Sequence, residues 1–190
     1  MLIRHANPVR DAAACAAIYE PFVLDTAVSF EERPPDEREF ARRIERGAQT
    51  HPWLVAERDG ALAGFAYASS HRSRAAYRWA ADVAVYVAAD QRRSGVGRAL
   101  YEALLPLLAR QGLYVACAGI TLPNDASVAL HEAVGFTPVG VYRRIGFKCG
   151  QWHDVGWWQV ELAPAGGPPP ALPGPPAMLS AGPAMPSPAE

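Results

Sequence analysis

Cysteine is scarce in this chain, and the little there is does not suggest pairing. Cys15, Cys117 and Cys149 are odd in number, widely spaced and without a C-x-x-C pattern, which argues against both a disulfide framework and a zinc cluster. Charge of either sign is also thin. Acidic and basic residues together make up 19% of the chain and the formal net charge is −1, so the basic tract that grips a nucleic-acid backbone is missing. No apolar run approaches the roughly 20 residues that cross a bilayer, and the amino terminus lacks a basic segment leading into an apolar core. These absences predict a protein of the reducing cytoplasm that binds neither nucleic acid nor membrane.

What is present is half hydrophobic over 190 residues, enough for one well-packed domain and too little for two. Ten of the 18 prolines fall in residues 164–190, with four glycines and a single charge at the end. Proline removes backbone donors and the stretch has little apolar bulk, so a mobile, Pro-rich disordered tail is expected there, with the functional domain occupying 1–163.

Within that domain Leu2 and Ile3 open a strand, and Asp11 is placed to cap a helix through Ala14, Ile18 and Tyr19. Asp36 to Glu39 is a capping box for a second helix with Phe40 and Ile44 on one face and Gly47 at its stop. Trp53–Arg58, Asp59-Gly60 and Ala61–Ser69 read as a hairpin, since Asp-Gly supplies the positive φ angles of a type I′ turn. Val83 to Val87 is a buried strand. A helix follows with Val96, Leu100, Leu104, Leu107 and Leu108 on one stripe and Gly112 after it, and Pro106 predicts a bend or an early end. A strand over 114–122, a helix over 126–134 and two strands around Gly150 complete a mixed sheet covered by helices.

Between strand and helix, Arg92-Arg93-Ser94-Gly95-Val96-Gly97-Arg98 places small residues where several backbone N–H groups can face one anion at the positive end of a helix. A pyrophosphate suits it, although a tight turn alone accounts for two glycines equally well. The loop is not a nucleotide P-loop, because Arg98-Ala99 stands where Lys-Ser/Thr is needed. Nor is it a dinucleotide fingerprint, because Leu100 occupies the third glycine's place.

These residues resemble the coenzyme A motif of the Gcn5-related N-acetyltransferases. Within that superfamily two longer blocks resemble the phosphinothricin acetyltransferase group: Leu122-Pro123-Asn124-Asp125-x-Ser127-Val128-x-x-His131-Glu132-Ala133-x-Gly135-Phe136, and Gly146-Phe147-Lys148-x-Gly150-x-Trp152-His153-Asp154-Val155-Gly156-x-Trp158-Gln159. The resemblance implies a mixed central sheet whose fourth and fifth strands splay apart, flanked by about four helices, and a co-substrate, acetyl-coenzyme A, lying in the gap. Val85, Tyr86 and Val87 would pair with the pantetheine arm, Arg92 to Arg98 would hold the pyrophosphate, and Asn124, with Ser127 beside it, would meet the arm. Metal is not expected, and a homodimer is.

The implied reaction needs a neutral amine, a polarised thioester and a way to settle the departing thiolate. His131 lies seven residues beyond Asn124, where many relatives in the superfamily carry a tyrosine acid, and an imidazole can accept or donate a proton near neutrality. Asp82 aligns with a glutamate usual in the phosphinothricin group, one methylene shorter, so proton removal through water is expected. An acyl-enzyme on Cys117 is the weaker alternative, because buried cysteine is usually inert. For an acceptor bearing an oxyanion, Arg72, Arg74, Arg78 and Lys148 are candidate partners, with Phe30 and Tyr77 beside them. The acceptor expected by resemblance is a small amine: phosphinothricin, methionine sulfoximine or sulfone, or an ordinary amino acid. Another amine, such as a drug or a protein terminus, and a non-catalytic acyl-coenzyme A sensor are the rival readings.

Overall fold

The computed structural model describes residues 1–163, 167, 169 and 171–179. In chain order the elements are β1 (Leu2–His5), α1 (Pro8–Leu24), α2 (Glu37–Ala48), β2 (Trp53–Arg58), β3 (Ala61–Ser70), β4 (Ala80–Val87), α3 (Val96–Gln111), β5 (Val115–Leu122), α4 (Asp125–Ala133), β6 (Thr137–Lys148) and β7 (Gln151–Glu161). The seven strands form one sheet in the order β1-β2-β3-β4-β5-β7-β6, antiparallel everywhere except between β4 and β5. This is the mixed sheet with four helices that the sequence predicts. Among the described residues no helix is long and apolar enough to cross a membrane.

Side chains alternate across a strand, and here the two faces feed two cores. Ala81 and Val83 of β4 and Ala116, Ala118 and Ile120 of β5 pack with Leu100, Tyr101, Leu104 and Phe136 beneath α3 and α4. The opposite face buries Val55 and Phe65 against Tyr19, Phe40 and Ile44 of α1 and α2, with Tyr86 packed alongside. Asp82 and Cys117 belong to this second face by the same alternation. At the β2–β3 turn Asp59 and Gly60 have φ of 52° and 80°, the left-handed pair a type I′ turn requires.

Two expectations are corrected and two are made more precise. Asn7, not Asp11, caps α1, its side chain accepting from the amides of Val9 and Arg10. Asp11 is instead buried in the first turn, where Arg4 donates to both its oxygens at 2.6 and 2.7 Å. Helix α2 runs one residue past Gly47 and is capped at Gln49. Helix α3 does not end early at Pro106 but continues to Gln111. Pro106 lies on the exposed side, so the carbonyl it leaves unpaired faces water, while buried Leu104, Leu107 and Leu108 hold the helix to the sheet. Finally, of the expected tail, 164–166, 168, 170 and 180–190 lie outside the described residues, but 171–179 lies against the domain. Gly174 and Gln111 exchange hydrogen bonds at 2.7 and 3.1 Å, Arg110 donates to the Met178 carbonyl at 2.9 Å, and Ala177 and Leu179 touch the core. A proline-rich stretch keeps its carbonyls free for such donors even though it forms no element of its own.

Candidate active site

Strands β4 and β5 pair only from Ala80–Asp82 to Val115–Cys117. Beyond Asp82 they part, and Val83 to Val87 remains bonded to β3 alone, which leaves one edge of β4 without a ladder partner. Unpaired backbone groups at such an edge are ready to bond an extended chain laid beside them. The resulting cleft is lined by Val83, Val85, Tyr86, Asn124, Ser127 and His131. Val87, expected with Val85 and Tyr86, ends β4 beside Gly97.

At the mouth of the cleft the strand-to-helix loop is shaped as an anion cradle. Arg93 and Gly95 have φ of 61° and 83°, and Gly95 caps α3 with no side-chain bond to its first amides, which leaves those donors open. A Cβ on Gly97 would sit 2.9 Å from Leu130 Cδ2, so glycine there lets α3 approach α4. The Ser94 hydroxyl donates to the Gln91 carbonyl at 2.6 Å and fixes the turn. The Arg92 guanidinium lies over the Phe22 ring at 5.3 Å. Arg98 pairs with Glu102 on the surface at 2.7 Å. The backbone from Arg93 to Val96 therefore fits a diphosphate.

Asn124 caps α4, accepting from the Ser127 amide at 3.2 Å. His131, on the same helix and 4% exposed, has both ring nitrogens engaged. Nδ1 donates to the Ser127 carbonyl at 2.7 Å, so Nε2 is the acceptor for the Tyr101 hydroxyl at 2.9 Å. Burial holds His131 below the usual imidazole range, and the bond to Ser127 only partly offsets it. Burial also pushes the Tyr101 phenol upward. The pair is neutral and enclosed.

On the other face Asp82 meets a residue that sequence reasoning missed. His71 Nδ1 lies 2.6 Å from Asp82 Oδ1. Burial raises the Asp82 carboxyl above its usual range, with the His71 bond and nearby His71 and Arg72 charge pulling the other way. The Cys117 thiol joins them, its sulfur within 4.8 Å of both ligating atoms. Burial, and the Asp82 carboxylate beside it, push that thiol up to about 11, which keeps it protonated and unfit as a nucleophile at neutral pH. The register pairs Ser69 of β3 with Asp82, so His71, two residues on, belongs to the same face. The hairpin signal in the sequence reaches Ser69 but not this register, because residues 71–79 return to β4 through an irregular loop.

The proposed acceptor contacts divide. Tyr77 is half-exposed and set edge-on to His71 at 5.7 Å, and Arg72 lies over the Trp157 ring at 5.7 Å while its guanidinium reaches the His71 carbonyl. Arg74 is exposed at the start of the short turn of helix over 75–77. Arg78 folds back onto the Ala75 carbonyl and Trp79. Phe30 covers Gly146, where any Cβ would overlap its ring. Lys148 is different: its ammonium donates to the carbonyls of Val23 and Ser29 at 2.6 Å each. It clamps β6 to the last turn of α1 and to the segment that follows it rather than facing the cleft as a free cation.

Comparison with known proteins agrees with this geometry. Residues 3–157 match the acetyltransferase (GNAT) domain. The chain is 42% identical over 152 residues to a phosphinothricin N-acetyltransferase of Streptomyces viridochromogenes, covering 80% of this chain and 83% of that one. It is 34% identical over 163 residues to an L-methionine sulfoximine/L-methionine sulfone acetyltransferase of Salmonella typhimurium, covering 85% and 95%. Among solved structures, a putative acetyltransferase from Salmonella typhimurium with its cofactor acetyl-CoA superimposes with a TM-score of 0.84 at 33% identity, covering 90% of this chain and 99% of that one.

Proposed function

The chain belongs to the GNAT acetyltransferases, and from that premise we propose that it acetylates the α-amine of a small amino-acid-like acceptor by direct transfer from acetyl-coenzyme A. The acceptor class follows the relatives, which act on phosphinothricin and on methionine sulfoximine or sulfone; an ordinary L-amino acid is the plain member of the same class. One observation carries the reading: the slot between β4 and β5 opens at Asp82, with a hydrogen-bonded histidine on each face of the sheet beside it.

Bound acetyl-coenzyme A would supply the thioester. The amides around Gly95 and Gly97 would hold its diphosphate, and the free edge of Val85 to Val87 its pantetheine arm, with Asn124 meeting the arm from β5's end. Asp82 belongs to proton removal from the acceptor. His131 holds the Tyr101 hydroxyl, which donates to its Nε2, and both side chains line the slot. Arg72 and Arg74, with Tyr77 and Phe30, line the approach for an acceptor oxyanion. A sensor of acyl-coenzyme A would need no carboxylate–imidazole pair beside the slot, which disfavours that alternative.

A thiol-release assay with acetyl-coenzyme A and a panel of amines tests the proposal. Turnover is expected with methionine sulfone, methionine sulfoximine, phosphinothricin or an L-amino acid. Thiol release confined to drug-like amines or peptide termini would sink the acceptor class, and none at all would sink the transferase.

Cytoplasmic residence and a homodimer belong to the same proposal. Strand β6 ends the sheet, contains no buried residue, and exposes Val139, Val141, Tyr142, Ile145 and Phe147, with Trp152 next to them on β7. An apolar edge of this length needs covering, and a second copy supplies a matching one. Sedimentation should give a dimer that Phe147→Glu with Trp152→Glu converts to monomer; a monomeric wild type overturns it.

A further inference from the structure

We propose that His71 is the group that takes the acceptor's ammonium proton, with Asp82 behind it as a positioning residue that fixes the ring's tautomer. The inference rests on the acetyl-transfer reading and deepens it. An ionised carboxylate can only accept, so the 2.6 Å contact puts the proton of the neutral ring on Nδ1. The lone pair is then on Nε2. That atom has no hydrogen-bond partner among the described residues, and it is absent from the buried polar atoms that lack one, so it reaches solvent. Tyr77 and Trp157 meet the ring edge-on at 5.7 and 6.0 Å and limit its swing. The imidazole thus carries a basic atom farther from the β4 backbone than the carboxylate it is bonded to.

A base for an alkylammonium at neutral pH works best when it titrates near that pH, and imidazole does so where a carboxylate does not. The titratable and charged groups around His71 are Asp82 on β4, Cys117 on β5, Tyr77 in the loop and the adjacent Arg72. Asp82 stabilises the imidazolium once it forms. In the complete step one ammonium proton passes to Nε2, the freed nitrogen bonds to the acetyl carbon as the carbon–sulfur bond breaks, and the second nitrogen proton leaves with the thiolate. The imidazolium returns its proton to solvent, giving amide, coenzyme A thiol and one proton.

The pH dependence of kcat/KM for the acceptor, measured for wild type, His71→Gln and His71→Gly, tests this. His71→Gln should lower kcat about 10²-fold at neutral pH with acetyl-coenzyme A affinity within about two-fold, and the neutral plateau should give way to a rate that climbs into the alkaline range. Added imidazole should restore turnover to His71→Gly in a saturable manner, which a packing role would not allow. A His71→Gln enzyme with the wild-type turnover and profile overturns the proposal, as does failure of imidazole rescue in a variant that still binds acetyl-coenzyme A. Wild type that releases no thiol with any acceptor overturns the transferase reading as well, so the two failures are distinct.

Discussion

Two histidines flank one slot from opposite faces of the sheet, and the difference between them lies in where their nitrogens point. His131 is enclosed, its N–H committed to the Ser127 carbonyl and its lone pair to the Tyr101 hydroxyl. His71 is bound on one side only, by Asp82, and its other nitrogen is open. A saturated neutral imidazole can hold a neighbour in place, but it has no proton to give and no lone pair to offer without breaking a bond. A half-engaged one has both a fixed tautomer and a vacant basic atom. The motif-bearing histidine is thus the one with both nitrogens bonded, and the one outside any motif keeps a nitrogen without a partner among the described residues.

The sharpest way to break this comparison is Asp82→Asn. An amide can turn its NH₂ toward Nδ1 and so move the ring proton onto Nε2, the wrong atom for a base. The expected loss is about 10² to 10⁴ in kcat, with the affinity for acetyl-coenzyme A unchanged because no part of the diphosphate cradle involves Asp82. A kcat within a few-fold of wild type, measured by steady-state thiol release, would remove the carboxylate and its histidine from proton transfer together.

The fold was largely legible because its signals are local. Asp59-Gly60 needs positive φ at two successive residues, Asp36 to Glu39 closes a helix start within four residues, and the stripe through Leu100 and Leu104 repeats with the helical turn. The glycine loop is legible for the same reason: Arg93 to Gly97 is one short segment between a strand and a helix. His71 escaped because its partner is 11 residues away across a loop whose length no pattern fixes, and an isolated histidine at a strand end carries no signal of its own. Lys148 looked like an acceptor contact because its two carbonyl partners, Val23 and Ser29, are more than 100 residues distant. Of the two outcomes Pro106 allows, the early end does not occur for a thermodynamic reason: the cost of one missing helix bond is smaller than the burial of the leucines on either side of it.

The opposite histidine offers a smaller and quite different test. His131→Phe keeps the ring's shape but strands the Tyr101 hydroxyl, which is fully buried, and an unpaired buried donor costs about 1–3 kcal/mol. With His131 proposed as a holding group for Tyr101 and not as a proton carrier, kcat should fall by no more than about ten-fold, and the main effect should be a lower melting temperature. Its pH dependence separates the roles further. Burial keeps the folded imidazole of His131 below its usual range, so as pH falls through about 6.5 the unfolded chain takes up a proton that the native state refuses. The stabilisation is complete above that pH and is lost progressively below it, with stability rising with pH wherever the unfolded state holds more protons. The wild-type melting temperature should therefore drop between pH 7.5 and 5.5, and His131→Phe should flatten that drop. Some slope will remain, because burial lowers His5 and His51 in the same direction. An undiminished slope in the variant, or a loss of rate comparable to that of Asp82→Asn, would show that His131 is not the neutral, saturated partner that its two hydrogen bonds describe.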